Sequence, residues 1–156
     1  NKYLQLIIHE QSQLIWQTGK AYYQTAIDEV SKFPNSKLNV FEFINAMDYA
    51  YAAADIIISR AGAISVSELC MIGKPVILVP SPNVAEDHQT KNAQSLVMAN
   101  AAILVKDSDC LNVLGRMIEE LLRNPEKCRT LSANIKKLAL PNAADSIVEE
   151  IIKLKK

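Results

Sequence analysis

Two polar stretches of this sequence carry residue types and spacings that could do chemistry. The first is Ser59-Arg60-Ala61-Gly62-Ala63-Ile64-Ser65-Val66-Ser67-Glu68. Its single glycine stands where a strand would turn into a helix, and Gly62 would permit a positive φ or a close approach to the backbone. The amides that follow, from Ala63 onward, would face an anion at the helix N-terminus, where unpaired N–H groups and the helix dipole favour negative charge. A diphosphate suits such a junction, and an ordinary tight turn fits it equally well. The spacing is neither a GxGxxG fingerprint nor a P-loop. Ser65-Val66-Ser67-Glu68 also has the form of a capping box, in which Glu68 would satisfy an orphan amide. The chemical alternative makes Glu68 a two-oxygen acceptor for the vicinal hydroxyls of a ribose.

The second stretch is the loop and helix start at 80–92, PSPNVAEDHQTKN. His88, Gln89 and Asn92 fall at i, i+1 and i+4, so they would share a face offering donors and acceptors to sugar hydroxyls; the plainer alternative is a solvated helix start. A third candidate is Phe43-Ile44-Asn45-Ala46-Met47, where backbone groups could hydrogen-bond a flat base under Ile44, or Ile44 could simply be core. No serine or cysteine is matched to an acid and a base, which argues against a nucleophilic triad. His9 and His88 are far apart with no ligand cluster around either, so no metal site is expected. Cys70, Cys110 and Cys128 lack CxxC spacing and read as reduced packing thiols.

The elements that must position these residues alternate. Short β-rich runs at 13–17, 38–43, 56–59, 75–79 and 102–105 are separated by helical stretches at 20–33, 47–54, 64–72, 87–99 and 111–123, and two further helices are expected at 125–138 and 143–155. Strand and helix in alternation, with nearly continuous apolar strands, predict an α/β, Rossmann-like parallel sheet with helices on both faces. In the helix at 64–72, Val66, Leu69, Cys70 and Gly73 recur at i, i+3, i+4 and i+7 and should face the sheet. Gly73 should stop that helix and Pro75 open the next strand. Ser65 and Glu68 then sit near the carboxyl end of the strand at 56–59, where open α/β sheets bind ligands.

A chain of 156 residues, 49% apolar, suits one domain with one core. Lys+Arg and Asp+Glu both number 17, so the basic excess of a general nucleic-acid binder is missing. No run approaches the ~20 apolar residues of a membrane span, and no signal peptide is recognisable. An opening that lacks methionine and already has helical character reads as a piece of a longer protein.

Four blocks together carry a resemblance: Phe41-Glu42-Phe43-Ile44; residues 54–69, ADIIISRAGAISVSEL; Gly73-Lys74-Pro75; and the loop at 80–92. Their order and spacing over roughly residues 13–105, with Gln13-Leu14-Ile15-Trp16-Gln17-Thr18-Gly19-Lys20 ahead of them, closely resemble the MurG family of peptidoglycan N-acetylglucosaminyltransferases, glycosyltransferase family 28. The resemblance implies a GT-B enzyme of two Rossmann-like domains, of which residues 1–156 would be the C-terminal, donor-binding one. It implies that Ile44 contacts uracil through its backbone and that Gly62, Ala63, Ile64, Ser65, Val66 and Ser67 surround the diphosphate and nucleoside. Glu68 would take the ribose hydroxyls, and Gln89, with His88 and Asn92 on the same face, would contact the sugar.

The implied partners are UDP-N-acetylglucosamine and, through the other domain, the lipid I acceptor at the cytoplasmic face of the bacterial inner membrane; no cofactor, metal or nucleic acid is implied. The sequence departs from the family in lacking its first strand and Gly-Gly-Ser loop ahead of Asn1. It also lacks the N-terminal domain that holds the acceptor site, the catalytic base and the membrane patch, so the chain alone should not catalyse transfer. The alternatives are a UDP-N-acetylglucosamine 2-epimerase-like domain and a non-catalytic nucleotide-binding or interaction domain. The epimerases usually carry a Ser-Gly-Gly loop and an acid pair, where Ala61-Gly62-Ala63 and the single Glu68 stand here.

Overall fold

The computed structural model describes residues 2–82 and 87–154, of Lys2 the main chain only. Residues 83–86 of the second polar stretch lie outside the described residues, as do Asn1, Lys155 and Lys156. The elements run α1 (Lys2–His9), β1 (Leu14–Gln17), α2 (Tyr23–Val30), β2 (Leu38–Phe41), α3 (Met47–Ala53), β3 (Ile57–Ser59) and α4 (Ala63–Ile72). They continue with β4 (Val76–Leu78), α5 (His88–Met98), β5 (Ile103–Leu104), a 3-10 turn at Asp107–Asp109, α6 (Cys110–Arg123), α7 (Pro125–Lys136) and α8 (Ala143–Leu154). Among the described residues no helix is long and apolar enough to cross a membrane.

Every strand pair is parallel, as the alternation predicts. The strands form two sheets, however, β1-β2 and β3-β4-β5. A doubly wound sheet has the order 3-2-1-4-5-6; the observed strands correspond to 3-2 and 4-5-6, with the central position unfilled among the described residues. That interruption falls where the resemblance places the family's first strand. It also explains an anomaly of burial. Strands of a parallel sheet are normally covered on both faces, yet Ile15 and Ile58 are 43% and 44% exposed.

The three-stranded sheet holds most of the core. Val76, Ile77 and Leu78 of β4 are wholly buried and alternate between faces. Val76 and Leu78 pack with Leu69 and Cys70 of α4 and Ala93 and Leu96 of α5. Ile77 packs with Ile118 and Leu121 of α6 and Leu131 of α7. Helix α1 spans the two halves: Leu4 and Ile7 are buried against Leu38 of β2, while Leu6 packs on the cluster around Ile77. Arg123 of α6 fastens the end of α1 through Glu10, Nη2 to Oε1 at 2.5 Å. That hydrogen bond is the main reason the Glu10 carboxyl lies below the usual carboxylate range. Gly115 makes room for the Tyr3 ring, since a Cβ there would stand 3.0 Å from it. Helix α8 differs from the rest in having every residue exposed.

Helix α4 keeps to its sequence pattern at the C-terminal end. Leu69 and Cys70 are buried and Val66 packs beside them, and Gly73 takes the left-handed conformation (φ +70°) while its N–H bonds to the Leu69 carbonyl at 3.0 Å. Any side chain would be strained there, and a Cβ would also meet the Lys136 stem at 3.2 Å. Gly73→Ala is expected to cost about 1–2 kcal/mol. A denaturant midpoint that falls at constant slope would show it, and an unchanged midpoint would remove the argument.

Candidate functional site

The carboxyl ends of β3, β4 and β5 carry both polar stretches. Helix α4 starts at Ala63, one residue earlier than the pattern predicts, with Gly62 at the N-cap and no side-chain cap. The first intrahelical bond is Val66 N–H to Gly62 C=O at 2.9 Å, so the amides of Ala63, Ile64 and Ser65 precede the ladder. This overturns the capping box. Ser65 is the third residue of the helix rather than its cap, and Glu68 lies a full turn too far along to reach an orphan amide. Ser67, for its part, turns its hydroxyl back onto the Ala63 carbonyl at 3.1 Å.

Gly62 has φ −63°, ψ 148°, ordinary extended backbone, so the positive-φ explanation also fails. A Cβ on Gly62 would meet only Ser65 Oγ, at 3.8 Å. Among the described residues nothing therefore sets a steric demand for glycine here. Ile64, next along, is 78% exposed.

The two stretches are clasped together by side chains. Gln89 Oε1 accepts from the amides of Ser81 (2.9 Å) and Ala61 (3.3 Å). Asn92 Nδ2 donates to the Ala61 carbonyl at 3.0 Å. Both groups of Ala61, a wholly buried residue, are thus held by α5. Gln89 and Asn92, three apart, turn one face of α5 onto Ala61, and His88 stands exposed at the helix start. Arg60 adds a further tie, its Nη1 donating to the Val79 and Pro80 carbonyls, both at 3.3 Å, and to Asp107 Oδ1 at 2.5 Å.

Glu68 accepts a hydrogen bond from Tyr51 on α3 at 3.3 Å. Burial first, and the Glu68 charge second, push the Tyr51 phenol above its ordinary pKa, so it stays a donor near neutral pH. Ile44 lies beyond β2, which ends at Phe41 rather than running to Phe43. The Ile44 amide donates to Gln17 Oε1 at 2.8 Å, leaving its carbonyl outside that bond. Ile44 also lines a shallow cavity of about 280 Å³ with Ile15, Asn39, Phe41, Tyr49 and Ala50.

Glycine 62, the amides of 63–65, Gln89 and Asn92 thus converge around Ala61, with Glu68 one turn down α4 and Ile44 on the β1-β2 side. Gln17, Tyr51 and Asp107 are partners that reading the sequence missed. Asp107 had a signal, because Asp107-Ser108-Asp109 sets two carboxylates two residues apart, a spacing that can hold a metal ion. Here Asp107 is spent on Arg60, and Asp109 accepts from the Ser108 hydroxyl at 3.0 Å. The cysteines are packing thiols: Cys70 is buried, and burial raises the pKa of all three.

The profile of the glycosyltransferase family 28 C-terminal domain matches residues 2–147. A UDP-N-acetylglucosamine--N-acetylmuramyl-(pentapeptide) pyrophosphoryl-undecaprenol N-acetylglucosamine transferase of Porphyromonas gingivalis is 54% identical over 141 residues, 90% of this chain and 37% of that protein. The enzyme of the same name from Bacteroides fragilis is 56% identical over 145 residues, 91% of this chain and 38% of its own length. The crystal structure of Acinetobacter baumannii MurG superposes with a TM-score of 0.81 at 29% identity, over 97% of this chain and 46% of that one. The chain therefore spans less than half the length of each of these relatives. Matched over nearly its whole length by that profile, it belongs to glycosyltransferase family 28, as a C-terminal domain of that family.

Proposed function

We propose that this chain is the donor-binding domain of an inverting N-acetylglucosaminyltransferase. The complete enzyme moves N-acetylglucosamine from UDP-N-acetylglucosamine to lipid I, making the lipid II of peptidoglycan synthesis. The observation that carries the reading is the uncapped start of α4 behind Gly62, three unladdered amides fronted by a glycine that no atom of the described residues requires. That arrangement suits a diphosphate. Glu68 takes the ribose hydroxyls, with Tyr51 orienting its carboxylate; the Ile44 backbone takes the base; Gln89, Asn92 and His88 face the sugar.

In the reaction, the acceptor 4-hydroxyl displaces UDP at the anomeric carbon with inversion. A general base outside this chain takes the hydroxyl proton. The α4 amides stabilise the negative charge that develops on the departing diphosphate, and because they are fixed in place they need no reorganisation to do so. The acceptor site and the membrane contact, at the cytoplasmic face of the inner membrane, belong to the other half of a protein of the relatives' length. The chain by itself binds donor and transfers nothing.

Calorimetry with UDP and UDP-N-acetylglucosamine tests the reading. Both should bind, and Glu68→Ala should weaken both by about tenfold, the value of one hydrogen-bonded charge in a half-wet site. Binding of neither ligand, or affinity indifferent to Glu68, would sink it.

A further inference from the structure

Arg60 opens the loop into α4, and its guanidinium is fixed by three acceptors from two other connections. Val79 and Pro80 offer carbonyls at the end of β4, and Asp107 offers a carboxylate just after β5. All three contacts fall on one nitrogen, Nη1, which has only two hydrogens to give. The short, charge-assisted bond to Asp107 therefore governs where Nη1 sits, and the carbonyls follow. Pro80 leads directly into Ser81, whose amide Gln89 holds at 2.9 Å. Contacts thus run without a break from Asp107 through Arg60 and Pro80 to Ser81 and Gln89. Nε and Nη2 take no part in these bonds and are the donors left over for an anion.

We infer that Asp107 is a positioning residue. By holding one nitrogen of Arg60 it sets Val79, Pro80 and Ser81 just beyond β4 and leaves the other guanidinium nitrogens for an anion at the carboxyl ends of the strands. The identity of the anion, the donor's diphosphate, rests on the donor-site reading; the tie among the three strand ends does not. Simple charge makes the opposite prediction. A carboxylate beside a diphosphate repels it, so if Asp107 did nothing but carry charge, neutralising it would tighten binding. The sign of the effect separates the two.

The test uses Asp107→Asn, which keeps the shape and removes the charge, and Asp107→Glu, which restores it. UDP affinity is read by calorimetry, and exchange of the Ser81 amide is read by NMR. Asp107→Asn should weaken UDP binding roughly three- to fivefold, the ceiling for a half-exposed ion pair. It should also speed Ser81 exchange while leaving the buried Leu121 amide of α6 unchanged. Asp107→Glu should recover much of both losses. Binding that is unchanged or tighter in Asp107→Asn, or Ser81 exchange that does not move, overturns the inference. If the unaltered chain fails to bind UDP at all, the donor reading falls, and Ser81 exchange alone then decides whether Asp107 positions this loop. Arg60→Ala, which removes the guanidinium altogether, should free Ser81 in the same way; an unmoved Ser81 there also counts against the inference.

Discussion

Gln89→Glu is expected to leave the domain folded and to weaken UDP-N-acetylglucosamine binding about a hundredfold. The two ends of the Gln89 carboxamide have different duties. Its oxygen faces two amide donors, Ser81 N–H and Ala61 N–H, and only an oxygen can satisfy both. The nitrogen is left out of the clasp, so a ligand that reaches this end of Gln89 meets only a donor. Glutamate keeps an acceptor for both amides, with stronger charge-assisted bonds, so the clasp survives. The outward end changes from a donor to an anion, losing a hydrogen bond and setting a negative charge against a diphosphate sugar. Leaving the sugar's acceptor unpaired against a carboxylate costs about 1–3 kcal/mol, which together with the repulsion from the diphosphate gives about two orders of magnitude.

Gln89→Ala supplies the contrast. It removes the acceptor from both amides, so it should lower stability by about 1–2 kcal/mol as well as weaken binding. Thermal melts and calorimetry on the two variants separate holding the loops from holding the ligand. Wild-type affinity in Gln89→Glu would show that the outer end of this side chain meets no ligand.

The same clasp shows what the sequence could and could not convey. Alternating apolar runs placed β1 to β5 to within a residue or two, and the i, i+3, i+4 spacing identified Leu69 and Cys70 as the buried face of α4. Gly73 was legible because a left-handed cap is a local property. The capping box misled for an equally local reason: Ser-x-x-Glu marks a helix start only when the serine is the cap, and here the backbone had already turned helical at Ala63.

Long-range partners were not legible. Gln17 with Ile44, Tyr51 with Glu68, and Arg60 with Asp107 are 27, 17 and 47 residues apart. Gln17 meets Ile44 and Arg60 meets Asp107 because parallel strands bring their carboxyl ends to one edge, and Tyr51 reaches Glu68 from one helix to the next; no spacing rule within one element encodes either. The division into two sheets was equally hidden in the strand patterns themselves. The β1 and β3 runs look like covered central strands, and only the strand order leaves Ile15 and Ile58 exposed.

Gly62→Ala should weaken UDP and UDP-N-acetylglucosamine binding by about thirty- to a hundredfold while barely changing the stability of the free domain. Two local explanations for a glycine were available, and both fail. Its φ of −63° is open to any residue, and an added Cβ would lie 3.8 Å from Ser65 Oγ, ordinary contact. Alanine is a poorer N-cap than glycine, by up to about 1 kcal/mol. It also restricts the unfolded chain, which returns about 0.4–1 kcal/mol, so the net change should be within about 0.5 kcal/mol. A methyl group would, however, stand in front of the Ala63, Ile64 and Ser65 amides, where a diphosphate must come within hydrogen-bond distance of the backbone. Moving the anion outward by even part of an ångström forfeits several charge-assisted bonds at once, each worth about 1.5 kcal/mol or more. Gly73→Ala should behave in the opposite way, costing stability and sparing affinity, because its glycine serves the backbone. A Gly62→Ala domain that binds UDP as the parent does would mean the diphosphate does not lie against the start of α4, and the donor would have to be placed elsewhere on the strand ends.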